Sequence, residues 1–214
     1  MKKIISTLFL CAAIVIAVGA QNTVKSIRAE YNDVHEWIGH MMPDSDGVTG
    51  MPPEYYDLHV VQNLPGTGGH HEYIRMYFEE DETAADSIIY PPHILRFVTS
   101  RYNFAASEFY EEYLYDKKGQ PMFIYAITPY AVEDEHIPYE LRMYFDGPKL
   151  IHFSAKKAVG VELFGYETLQ GITYEEKYSG KTIPETYKDE TDRCILRASR
   201  FLTMFKGIDD NTYQ

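Results

Sequence analysis

The sequence predicts an α+β domain: an antiparallel β-meander sheet with N-terminal and C-terminal amphipathic helices packed on one face. Three observations predict it. Apolar residues recur in steps of three and four near residue 30 and again near residue 200. Between those stretches, apolar and polar residues alternate over a series of short segments. Short turns rich in Gly, Pro and Asp separate the segments, and short turns join antiparallel strands, because parallel pairing needs long crossovers.

The first helix is expected over residues 22–42, where Val24, Ile27, Tyr31, Val34, Ile38 and Met41 form one apolar stripe. Asn22 or Thr23 can cap its start. Met42-Pro43 ends it, because the residue before proline avoids the helical region. A loop follows from Pro43 to Pro53, and strand signals then run as far as Ala155. Tyr56-Asp57-Leu58-His59-Val60 alternates, and the run from Leu64 to Gly69 is a turn. Beyond it, Ile74, Met76 and Phe78 face one way and Tyr73, Arg75 and Tyr77 the other. Pro91-Pro92 introduces Leu95, Phe97 and Thr99, opposite Arg96 and Val98. Phe109 to Tyr115 is the next strand; Asp116-Lys117-Lys118-Gly119 turns the chain, and Met122 to Thr128 returns. In Tyr139 to Phe145, Leu141, Met143 and Phe145 oppose Glu140, Arg142 and Tyr144. Asp146-Gly147-Pro148 turns again into Leu150 to Phe153. Four glycines interrupt residues 156–188, which read as short pieces joined by loops. In the last helix Cys194, Ala198, Phe201, Leu202 and Phe205 form the stripe; Thr191 or Asp189 caps it and Lys206-Gly207 stops it. Tyr73 to Phe78 and Glu140 to Phe145 are near copies, compatible with duplication or with a shared demand for one greasy and one Tyr/Arg face.

Residues 1–20 have the layout of a secretory signal peptide: Lys2 and Lys3, an apolar run from Ile4 to Val18, and small residues before a cut at Gln21. Residues 21–214 then form a single domain, expected to be bacterial and periplasmic or secreted. Cys11 lies in the leader, which leaves Cys194 alone and permits no intrachain disulfide. No further apolar run is long enough to be a transmembrane segment in the mature chain. With 20 Lys+Arg against 32 Asp+Glu, the acidic surface repels nucleic acid and anionic lipid. Nineteen Tyr, eleven Phe and one Trp exclude a disordered chain.

With both helices on the apolar face, the reverse face would carry Tyr73, Arg75, Tyr77, Arg96, Arg142 and Tyr144, joined by Tyr110 and Tyr125. Tyr and Arg combine a large apolar body with a polar tip, which suits them to binding surfaces. They also stack as cross-strand pairs on solvated sheets, so two readings of this face stand. The expectation is a non-catalytic binding protein that holds a protein, peptide or glycan there, without a cofactor. The alternatives are a secreted hydrolase or metal-dependent enzyme using His70 or His71 with a nearby Glu, or a structural component of the cell envelope.

Catalytic motifs are not found. His35-Glu36 and His40 stand one residue too far apart for a zincin helix. His59, His70 and His71 are weak metal candidates, because adjacent strand residues face opposite ways and no Cys or carboxylate cluster completes a ligand set; no metal is expected. Asp44-Ser45-Asp46-Gly47 lacks the later ligands of a calcium loop. There is no Gly-X-Ser-X-Gly or Ser-X-X-Lys, and Cys194 lies on an apolar stripe. The carboxylates at Glu108, Glu111, Glu112 and residues 133–135 offer many pairs and single out none.

At Arg101-Tyr102-Asn103-Phe104-Ala105-Ala106 and Phe109-Tyr110-Glu111-Glu112-Tyr113-Leu114-Tyr115-Asp116, the chain resembles uncharacterised exported proteins of Bacteroidota-type bacteria. Those have similar length, a signal, a helix and a Tyr-rich meander, and the likeness extends over most of the mature chain. The resemblance implies a compartment. It implies no activity and carries over no functional residue.

Overall fold

The computed structural model describes residues 21–39, 54–81, 91–132, 137–160 and 172–212. The leader, Met41, and the loop from Pro43 to Pro53 lie outside the described residues. Helix α1 (Val24–Gly39) precedes eight strands: β1 (Glu54–Leu64), β2 (Gly68–Glu80), β3 (His93–Phe104), β4 (Ser107–Tyr115), β5 (Pro121–Thr128), β6 (Tyr139–Asp146), β7 (Lys149–Val159) and β8 (Thr173–Gly180). A 3-10 turn (Glu185–Tyr187) leads into α2 (Lys188–Thr212). The strands form one sheet in sequence order, each antiparallel to the next. No described helix is long and apolar enough to cross a membrane.

Alternation gives the sheet two distinct apolar faces. Met76, Val98, Tyr113, Ile124, Met143 and Phe153 align in one row across β2 to β7. This face, with Ile74, Phe78, Leu141 and Phe145, packs against Cys194, Ala198, Phe201 and Phe205 of α2. The adjacent row, Tyr77, Phe97, Leu114, Phe123 and Tyr144, points the other way and packs against Ile27 and Val34 of α1. The helices therefore cover opposite faces, and the expectation of both on one face does not hold. An apolar stripe dictates that a helix be buried, not on which side. Here Phe97, Leu114 and Phe123 make the presumed wet face apolar along its middle row. Burying Ile27 and Val34 there is worth about 1.5–3 kcal/mol each.

A buried ion network ties α2 to the sheet. Glu111 is fully buried; one carboxylate oxygen accepts from Tyr102 Oη (2.9 Å) and lies 2.9 Å from Arg193 Nη1, which donates to Tyr102 Oη. The other accepts from Arg197 Nε (2.6 Å) and Tyr113 Oη (2.6 Å). Arg197 reaches on to Glu72 (2.5 Å) and Arg193 to Glu190 (2.7 Å), so neither guanidinium depends on Glu111 alone.

The helix ends differ in how closely they follow local sequence. Thr23 and Ser26 cap α1 reciprocally: Ser26 N donates to Thr23 Oγ1 (3.1 Å) and Thr23 N to Ser26 Oγ (2.9 Å). At the other end of the chain, α2 does not stop at Lys206-Gly207 but continues to Thr212. Tyr56 Oη donates to Asp209 (2.8 Å) and His93 Nδ1 lies 2.6 Å from the same oxygen, which anchors the last turn against the roughly 1 kcal/mol penalty of Gly207.

Three bulges, on β3, β5 and β7, occur next to the Tyr77–Tyr144 row. Each inserts one residue: Arg96, Met122 and Ile151. Met122 and Ile151 join the α1-side cluster. Arg96, expected on the open face, is only 5 % exposed and bonds Glu79 (2.6 Å) and Glu30 of α1. Strand β8 is a further departure from the sequence reading. Its Thr-Tyr-Glu-Glu-Lys-Tyr run forms a polar edge strand within the stretch read as short pieces and loops.

Candidate functional site

A cleft of about 760 Å³ opens between α1 and the sheet. Its floor comes from one face of three adjacent strands: Tyr110 and Glu112 of β4, Phe123, Tyr125 and Ile127 of β5, and Arg142 and Tyr144 of β6. The register sets these side by side, with Glu112 opposite Tyr125 and Tyr125 opposite Arg142. Ile27, Arg28, Tyr31 and Asn32 of α1 form the wall, and Arg101 of β3 contributes at the edge. The helix is seated by Ile27 and Val34, which brings Arg28, Tyr31 and Asn32 over the floor.

Glu112 is the centre of the floor and is buried. Tyr31 Oη donates to one of its oxygens (2.5 Å), Tyr110 Oη donates to the other (2.6 Å), and His35 Nε2 stands 3.8 Å away. Burial pushes the Glu112 carboxyl up, but the contacts with His35, Tyr110 and Tyr31 outweigh it and hold the group below the usual carboxylate range. Burial, reinforced by the Glu112 charge, raises the phenols of Tyr31 and Tyr110 well above their ordinary value. Tyr125 is raised by burial and by Glu140, to which its Oη donates (3.2 Å). Glu140 also lies 3.0 Å from Arg142 Nε and 3.2 Å from Lys156. Arg142 Nε and Glu140 Oε1 attract at that distance but are not aligned to share a proton, so both atoms stay buried without a hydrogen bond. Tyr174 Oη is likewise buried without a partner, its phenol pushed up to about 12 by burial and by Glu140. At the wall, Arg28 Nε donates to Tyr144 Oη (3.2 Å).

The six Tyr and Arg residues picked from the sequence do not form one surface. Only Arg142 and Tyr144 line the cleft. Tyr77 lies in the same face but is 6 % exposed, packed in the α1-side cluster. Arg75 stays outside, bonded to Asp57 (2.6 Å) over the ring of Tyr55. Tyr73 is half exposed and stacks on His59. Arg96 is buried in its bulge. Tyr110 and Tyr125 do line the cleft; Arg28, Tyr31 and Arg101 were not recognisable as site residues, and Glu112 was named only among many carboxylates. A usable signal was present for Glu112: it shares a strand face with Tyr110, two residues away.

The histidine candidates separate. His70 and His71 project to opposite faces; His70 Nδ1 contacts the Asn103 carbonyl oxygen (2.6 Å), and His71 Nδ1 lies 3.3 Å from His59 Nε2. Among the described residues, no three His, Cys, Asp or Glu side chains gather as a metal would require. Cys194 is fully buried, with its thiol pushed well up by burial and by Glu111.

Comparison of the chain with protein-family models, with curated proteins and with solved structures finds no match.

Proposed function

We propose that the chain is an exported binding protein that holds a small ligand, or a short stretch of glycan or peptide, in the cleft between α1 and the sheet. The reading rests on one observation: a 760 Å³ concavity in which every described shift in ionisation runs away from neutrality. A carboxyl held low is a weak base, and phenols held high are weak acids, so these groups are poorly matched to proton transfer near neutral pH. They are well matched to holding fixed charges and oriented hydrogen bonds. The volume is typical of small-molecule sites, and apolar Ile27, Phe123 and Ile127 stand among the polar groups, as such sites require. A carrier of this kind working outside the cytoplasm agrees with the Lys2-Lys3 start and the apolar run behind it.

Thermal shift against a panel of sugars, amino acids, dipeptides, nucleotides and aromatic acids tests the reading. The comparison is with Asn32→Trp, which places bulk into the cleft from an exposed helix position. At least one class should raise the melting temperature of the wild type and leave the plugged variant unchanged. A panel with no active class, or stabilisation equal in both proteins, refutes it.

A further inference from the structure

The hydrogen-bonding polarity of the cleft is fixed by its buried carboxylates. An ionised carboxylate only accepts, and a phenol carries one proton. Tyr31 and Tyr110 spend theirs on Glu112, and Tyr125 spends its own on Glu140. The three phenol oxygens are left to a ligand as acceptors. Tyr144 is the reverse case: it accepts from Arg28, so its proton remains available. The remaining donors are the Asn32 amide and guanidinium groups. A ligand must therefore give several protons to the floor and receive others from the wall. Neighbouring hydroxyl groups on one ring do both, since each is donor and acceptor at once. A phosphate has few protons to give, a planar aromatic acid has none in the ring, and an extended peptide offers one N–H per residue.

The arginines differ in what they lack. Arg101 pairs with Glu108 (2.8 Å) and Arg142 lies 3.0 Å from Glu140. Arg28, exposed at the mouth, has no carboxylate within salt-bridge distance among the described residues, and its two terminal nitrogens are unspent. A planar fork of this kind matches a carboxylate in two-point contact.

We propose that the cleft binds a short oligosaccharide of acidic sugars, with ring hydroxyls on the oxygens of Tyr31, Tyr110 and Tyr125 and a sugar carboxylate on Arg28. This rests on the cleft being the ligand site. Titration calorimetry on the full mature chain should use trigalacturonate and triglucuronate, each beside its neutral hexose counterpart. At least one acidic trimer binds, and its neutral counterpart binds at least tenfold more weakly. Arg28→Gln abolishes that preference, lowering the affinity of the acidic trimer to that of its neutral counterpart. Tyr110→Phe weakens both trimers of the pair. Equal binding of acidic and neutral trimers overturns the assignment of the carboxylate to Arg28. Failure of all four sugars overturns the sugar assignment. If another class then stabilises wild type but not Asn32→Trp, the cleft remains the ligand site; if no class does, both readings fall.

Discussion

Replacing Glu111 by Gln isolates the network that seats α2. The carboxylate is fully buried and has four contacts of 2.6–2.9 Å, two on each oxygen: three accepted hydrogen bonds and the ion pair with Arg193. Gln keeps the shape but offers one oxygen and one NH2, so on one side an arginine, which can only donate, meets a donor. Breaking a buried ion pair from one partner costs about 3–5 kcal/mol, because the surviving charge stays desolvated. Arg197 keeps Glu72 and Arg193 keeps Glu190, which places the loss toward the lower end of that range. At about 2–4 °C per kcal/mol for a chain of this size, the melting temperature falls by roughly 6–12 °C. Urea unfolding at neutral pH gives the free energy directly. Replacing all five charged groups, Glu72, Glu111, Glu190, Arg193 and Arg197, by Leu or Met provides the contrast: an apolar replacement of the whole group should return to within about 2 kcal/mol of the wild type. The reasoning fails if Glu111→Gln lies within 1 kcal/mol of wild type, or if the apolar variant is the less stable of the two.

Four more outcomes follow from the packing. Ile27→Ala removes a fully buried side chain of α1 and should cost about 2–5 kcal/mol, with hydrogen exchange rising in α1 while α2 keeps its protection. Gly119 has φ +76°, and a Cβ there would stand 3.2 Å from Leu202, so Gly119→Ala should lose about 1–2 kcal/mol by urea unfolding. Ala105 adopts φ 52°, so Ala105→Gly should gain up to about 1 kcal/mol by the same measurement. Glu111 and Glu112 are both held below the ordinary carboxyl value of 4.5, so their contribution is complete above about pH 4.5 and lost as the pH falls through their lower folded-state values. The urea midpoint of the wild type should therefore drop below pH 4.5, and drop less steeply in Glu111→Gln.

Strand order was legible, and so were the faces of β2 and β6, because one greasy face needs only a two-residue period to be seen; on β3 the bulge at Arg96 instead puts Leu95 and Val98 on the α2 side and Phe97 on the α1 side. Ile74, Met76 and Phe78 do meet the same helix as Leu141, Met143 and Phe145. What the pattern could not supply was the fate of tyrosine. Tyr77 and Tyr144 alternate with apolar neighbours as surface residues would, yet both are buried, since a phenol has a greasy body and a polar tip. Bulges have no signature in a binary pattern, so Arg96 was assigned to an open surface rather than to Glu30 and Glu79. The Ala105-Ala106 turn lacks the usual glycine, and β8 is too polar to stand out from a loop. The cleft itself was beyond reach: Tyr31 meets Glu112 across 81 residues, and local spacing carries no information at that range.

In the meander, each strand finds its partner in the segment just before it, so the sheet can grow by short steps. The helices are the exceptions: Arg197 of α2 meets Glu72 across 125 residues, and Tyr31 and Arg28 of α1 meet side chains 81 and 116 positions later. Helix α1 cannot be seated before its floor exists, and pulse-labelling exchange should find it gaining protection after β4–β6. Because α1 takes part in no strand pairing and is held through side chains, its contacts can be lost without unzipping a single strand.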